Sequence, residues 1–144
     1  MITNYFLNVL VGNAYHASDK PAELPTTYYL GFSSTKPSAD GTGVTEPSTA
    51  NNYAREPIPG FKMGAATGYV VNDTSFSTNE ATNAGWGLLP YYCIFDAPTG
   101  GHLLIANSYV NPKTIEAESM GTVKAGSLEL SILNPVGKEE ITDP

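Results

Sequence analysis

Eleven prolines and fourteen glycines interrupt the 144-residue chain at short intervals. Proline fixes φ and lacks a backbone donor, and glycine weakens helix and strand interiors alike. So many interruptions leave room for many short strands and very few helices. The length suits one domain with one core. The expected class is therefore all-β, an antiparallel β-sandwich of jelly-roll-like type with a short N-terminal helix.

That helix is the exception to the pattern. In residues 2–12, Ile2, Phe6, Val9 and Leu10 share one helical face, Leu7 and Val11 widen the stripe, and Gly12 and Asn13 supply a stop. Residues 1–13 are thus read as an apolar helix or arm that docks on something, because so short a helix is marginal alone. Residues 14–133 form the sandwich domain, and residues 134–144 an acidic tail.

Within the domain the strands follow period-2 alternation. In residues 22–34, Tyr28, Leu30 and Phe32 face one way and Thr27, Tyr29 and Gly31 the other. Residues 53–58 resume an extended pattern whose Pro57 and Pro59 place it at a sheet edge or end. Residues 68–72, 74–77 and 85–95 read as further strands, and Trp86 stands at the entrance of the last, the most hydrophobic run of the chain. Residues 102–110, 113–117 and 122–133 close the domain. The predicted core comprises Leu30, Phe32, Phe76, Trp86, Ile94, Leu104, Leu128, Leu130 and Ile132. Between the first two strands lies a long polar stretch, residues 33–52, with Val44 as its only large apolar residue. It reads either as a solvated insertion or as a surface shaped by a neighbouring subunit or ligand. The acidic tail reads as a mobile tail or as a segment ordered only by a partner.

The sequence "CIFDAPTGGHLL", residues 93–104, decides between three chemistries. A phosphate cradle needs a helix after the glycines. A metal loop needs more carboxylates than Asp96 alone. Strand, short polar segment with glycines, strand describes a β-hairpin, with Gly100 and Gly101 free to take positive φ and Asp96 placed to bond an amide two residues on.

No catalytic, cofactor or metal residue is assigned. His16 and His102 lie at no zinc-ligand spacing. Glu116, Glu118, Glu139 and Glu140 read as solvated charges, and Cys93 as a small buried hydrophobe. "NDT" at residues 72–74 fits a glycosylation pattern only in an exported chain, and the N-terminus lacks the basic flank of a signal peptide. The net charge is −7, and the seven basic residues are scattered. That argues against nucleic acid, whose counterions must be replaced by clustered cations. No apolar run is long enough to span a bilayer, so membrane insertion is not expected.

Several blocks resemble a family of tailed-bacteriophage virion proteins of tail-fibre or minor structural type. These are "YYLGFSSTKPSADGTGVTEPSTANNYAREPI", then "NDTSFS", "ATNAGWG", "YYCIFDAPTGGHLLIA" and "PKTIEAESMGTVKAGSLELSI", in order over about residues 22–132. The family's usual His-Thr after the first strand is Phe32-Ser33 here. The resemblance implies a non-enzymatic virion component of the tail, baseplate or fibre. It would be made in the host cytoplasm and would assemble with other virion proteins as a symmetric homo-oligomer. Two alternatives remain. One is a module for carbohydrate or a host surface, suggested by Tyr28, Tyr29, Tyr53, Tyr69, Tyr91, Tyr92 and Tyr109, although these tyrosines also suit a core or interfaces. The other is a capsid decoration protein.

Overall fold

The computed structural model describes residues 1–132, so the acidic segment 134–144 lies outside the described residues. Among the described residues, helix α1 (Asn4–Ala14) is followed by nine strands. These are β1 (Tyr29–Ser33), β2 (Glu56–Pro57), β3 (Phe61–Met63), β4 (Tyr69–Asn72), β5 (Phe76–Ser77), β6 (Gly87–Phe95), β7 (Leu103–Ile115), β8 (Thr122–Val123) and β9 (Glu129–Ser131). Every strand pairing among the described residues is antiparallel. One sheet has the order β2-β1-β6-β7, a second β3-β4-β9, and β5 pairs with β8. Leu30, Ile94 and Leu104 of the first sheet share a core with Leu130 of the second and with Phe76 and Val123 of the third. The fold is the expected antiparallel sandwich with a short N-terminal helix.

β1 and β6 show why an alternating pattern was only part of the story. Leu30, Phe32 and Ile94 enter the main core, while Cys93, Phe95, Leu103 and Ala106 form a second cluster on the other face of the sheet. Val44 of the polar stretch packs against that cluster. Both faces of the sheet are therefore covered, which is why residues 103–106 are all buried.

Pro90 sits inside β6, a central strand, where it cannot donate to the ladder. The pairing accommodates it by a register break: Leu89 faces Lys113 and Tyr91 faces Ser108, leaving residues 109–112 opposite Pro90. Such a break is how a sheet absorbs a missing donor. It also lets residues 103–115 run as one strand, where the sequence suggested two.

The N-terminal segment departs from its pattern at both ends. Ile2 is not helical but bridges Ile105 on the edge of β7. Thr3 caps the helix, accepting from the Phe6 N–H at 3.3 Å. Its own hydroxyl donates to Leu103 O at 2.8 Å, so cap and sheet are tied together. The helix runs through Gly12 to Ala14. Gly12 is not a stop but a contact: a Cβ there would overlap Lys20. Phe6 and Val9 are buried, but Leu7 and Val11 are 42% and 56% exposed, so the expected wider stripe does not enter the core.

Two further expectations are corrected. Ile132 is 57% exposed and lies outside the β4–β9 ladder, whose register ends at Ser131. β3, by contrast, leaves no alternation to read, since Pro59, Gly60 and Gly64 crowd its three residues. The rest of the predicted core is buried, apart from Phe76, which is half-buried against it. Trp86 packs edge-on to Tyr53 with ring centroids 5.3 Å apart, and its Nε1 donates to Asn51 O at 2.8 Å.

Candidate functional site: a polar lock, a mixed cleft and an apolar groove

Residues 33–52 order themselves. The Ser33 hydroxyl donates to Thr35 O at 2.6 Å and accepts from Thr45 N at 2.9 Å. Asp40 accepts from the Thr42 backbone N–H and hydroxyl at 3.0 and 2.6 Å, and those bonds hold its carboxyl below the usual carboxylate range. The stretch then delivers Glu46 to a buried partner. Arg55 donates from Nε to Glu46 Oε1 and from Nη2 to Oε2, both at 2.9 Å, a two-pronged ion pair. The Tyr53 hydroxyl also donates to Oε1, at 2.6 Å, and accepts from the Phe32 N–H at 3.1 Å. Burial first, and the Glu46 carboxylate second, keep the Tyr53 phenol protonated far above its ordinary range.

Arg55 binds the hairpin turn as well. Its Nη1 donates to Ala97 O and Gly100 O, both at 2.8 Å, and its guanidinium carbon lies 3.5 Å from the centroid of the Phe95 ring. The Arg55 side chain retains only 8% of its surface in solvent, and Glu46 25%. Gly31 makes room for this cluster: a Cβ there would meet the Phe95 ring and the Tyr53 hydroxyl, each at 2.8 Å.

The turn at 96–101 is a chain reversal, as expected, though Asp96 works differently. Its Oδ1 accepts from the His102 N–H at 2.7 Å, across the loop and not two residues on. Its Oδ2 lies 3.1 Å from His102 Nδ1. Gly100 and Gly101 have φ of 60° and 64°. A side chain at Gly101 would also run into Asp96 and Ala97, whereas Gly100 has open space. The His102 ring stacks on Tyr5 of α1 at 3.8 Å and 10°, which ties the turn to the helix.

The other residues weighed from sequence are not brought together. His16 lies in the turn after α1 with φ of 54°. Glu116 and Glu118 are exposed. Cys93 is buried, and that burial pushes its thiol up to about 12, leaving a small hydrophobe with no thiolate at neutral pH. Of the tyrosines, Tyr53 is in the main core, Tyr28, Tyr92 and Tyr109 pack against it, and Tyr29 packs against the second cluster. Among the described residues, no three His, Cys, Asp or Glu side chains converge as a metal site would need. Nothing local in the sequence announces the Glu46–Tyr53–Arg55 lock, because a loop separates Glu46 from the other two members and a buried ion pair leaves no pattern of its own. The signal was there only as "TEP" and "YAR" in the resembling blocks.

Two concave surfaces flank the core. One is a cleft of about 740 Å³ where Phe32, Tyr92 and Tyr109 meet Lys113, Lys124 and Glu129. The Tyr92 and Tyr109 ring centroids are 5.4 Å apart. Burial raises the Tyr109 phenol well above its usual range, and the neighbouring Tyr92 adds to this. The other is a groove of about 420 Å³ between α1 and the second sheet, walled by Phe6, Leu10, Phe61, Met63, Val70 and Ile132. None of the residues lining it is charged at neutral pH.

A small antiparallel sandwich whose buried charges and turn carbonyls are spent on one another is the class of a structural β-module. This one belongs to the podophage GP4 fiber I protein gp80 family, whose model matches residues 2–131. It is therefore a phage fibre-type virion component. No curated protein matches the sequence.

Proposed function

We propose that this chain is a non-catalytic structural piece of a podophage fibre, carried on the tail or its baseplate. It is made in the host cytoplasm and acts by assembling in several copies with other virion proteins. The observation that carries this reading is the use made of the shared blocks. Glu46, Tyr53, Arg55 and Asp96, polar residues of those blocks, serve to hold a loop to a hairpin. The scattered cations and net charge of −7 fit protein partners better than nucleic acid. Mass spectrometry and immunogold labelling of purified particles test it: label on tail fibres is expected, and label on the head or absence from the particle contradicts it.

A second reading rests on the mixed cleft. The Tyr92–Tyr109 pair beside Lys113, Lys124 and Glu129 offers aromatic faces and polar groups together, the combination that binds a host-surface saccharide. A glycan array with the intact protein decides it. Binding that disappears in Lys113→Ala is expected if the cleft is used, and no binding to any glycan removes the reading.

A further inference from the structure

The apolar groove beside α1 is continuous with an apolar ridge. Leu10 and Val11 lie three and four residues beyond Leu7, both neighbours of it on the helix surface. Leu10 also lines the groove, and Leu7 and Val11, its neighbours along the helix surface, are exposed. Across the groove Met63 and Ile132 are 73% and 57% exposed. A ridge of branched aliphatic carbon and a hollow that would receive it thus sit side by side. Large apolar patches of this kind mark contacts.

Charge says which contact. The α1 sequence NYFLNVLVGNA contains no ionisable side chain other than Tyr5 and no charge at neutral pH. An exposed helix ordinarily turns a charged face to water. The chain as a whole carries −7, so a second copy approaching most faces meets like charge. A symmetric contact sets each residue against the same surface of its partner, so it tolerates no net charge at its centre. The ridge and groove meet that condition.

We infer that the α1 ridge of one copy seats in the groove beside α1 of a second copy of this chain. Leu7 and Val11 of each copy then lie against Met63 and Ile132 of the other. The contact is reciprocal, so it closes as an oligomer and leaves no sticky end. The inference rests on the assembly reading above, naming its surface and its partner.

Sedimentation equilibrium of the intact chain tests it. Concentration-dependent association is expected in the wild type. The double variant Leu7→Glu/Val11→Glu should weaken it at least about tenfold, since it drives carboxylates against apolar carbon. Both positions are exposed, so folding, followed by circular dichroism, should be kept. A charge-swap mixture gives a signature that a merely sticky surface would not: Val11→Lys and Met63→Glu chains, each weakened alone, should associate when mixed. A wild type that stays monomeric to about 1 mM, or variants that associate like the wild type, overturns the inference. If the monomer is nonetheless found in fibres of purified particles, the structural reading stands and only the self-contact fails. Absence from particles overturns the structural reading itself.

Discussion

Around Arg55 a charged side chain is buried and compensated, whereas beside Leu10 apolar carbon is left facing water. In the first region Glu46, two turn carbonyls and the Phe95 ring surround one guanidinium. In the second, Leu7, Val11, Met63 and Ile132 stay exposed on a face without charge. Polarity and need for a partner run opposite to what composition suggests. The polar stretch 33–52 has few apolar residues, yet a chain of hydrogen bonds ending in one ion pair fixes it to the domain. The apolar N-terminal helix docks with Phe6 and Val9 but presents a second apolar stripe outward. A loop is ordered by having its polar groups satisfied, not by hydrophobicity alone.

The largest expected effect comes from breaking the lock. Arg55→Ala should cost about 3 kcal/mol, the lower end for a buried pair, because Glu46 keeps a quarter of its surface in water. Denaturant unfolding measures it. In a double-mutant cycle with Glu46→Gln the two losses should be non-additive by about 1 kcal/mol or more. Strict additivity would mean that Arg55 acts only through the turn carbonyls. The turn comes next. Gly101→Val should cost about 1–3 kcal/mol, from a β-branched residue at positive φ with no room for its Cβ, and more than Gly100→Val, where only the backbone term applies. Equal losses would show that crowding by Asp96 and Ala97 is relieved by movement.

A pH series sharpens the contrast at lower amplitude. Cys93 is raised from 9.0 to about 12, and burial also raises Tyr53, Tyr109 and Tyr28 above 10.0. The folded chain holds these protons more tightly than the unfolded chain. The resulting stability is fully present below about pH 9 and is lost as pH rises toward the folded values. Melting temperature should therefore be flat through neutral pH and fall above about 9, with the earliest part of the fall removed in Cys93→Ala. A fall left unchanged in Cys93→Ala would mean that the thiol titrates alike in the folded and unfolded chain. The smallest effect belongs to the open face: Leu7→Glu/Val11→Glu should leave monomer stability within about 0.5 kcal/mol, because neither side chain is in the core. A larger loss would place the outer stripe in the fold itself.

Much of the sandwich was legible because alternation at Leu30 and Phe32, and at Leu128 and Leu130, is a local consequence of strand geometry. The hairpin turn was legible because glycine pairs have few uses between strands. Ile132 shows the limit: it keeps the alternation in the letters but lies outside the β4–β9 ladder. Leu7 and Val11 show another, since a helical stripe does not say which part of it meets the core. The buried pair was illegible for a stronger reason. Glu46 and Arg55 are each ordinary in their own neighbourhoods, and only the fold that covers the Cys93–Phe95 face of the first sheet brings them together.

The contrast between a closed polar region and an open apolar one is tested most directly by amide hydrogen exchange, comparing the free protein with the protein in intact particles. The account predicts added protection in α1 and across β3 and β9, with the turn at 96–101 unchanged because Arg55 and Asp96 already hold it. Protection gained at 96–101 with none at α1 would contradict it, and would make the locked hairpin the face that meets the rest of the virion.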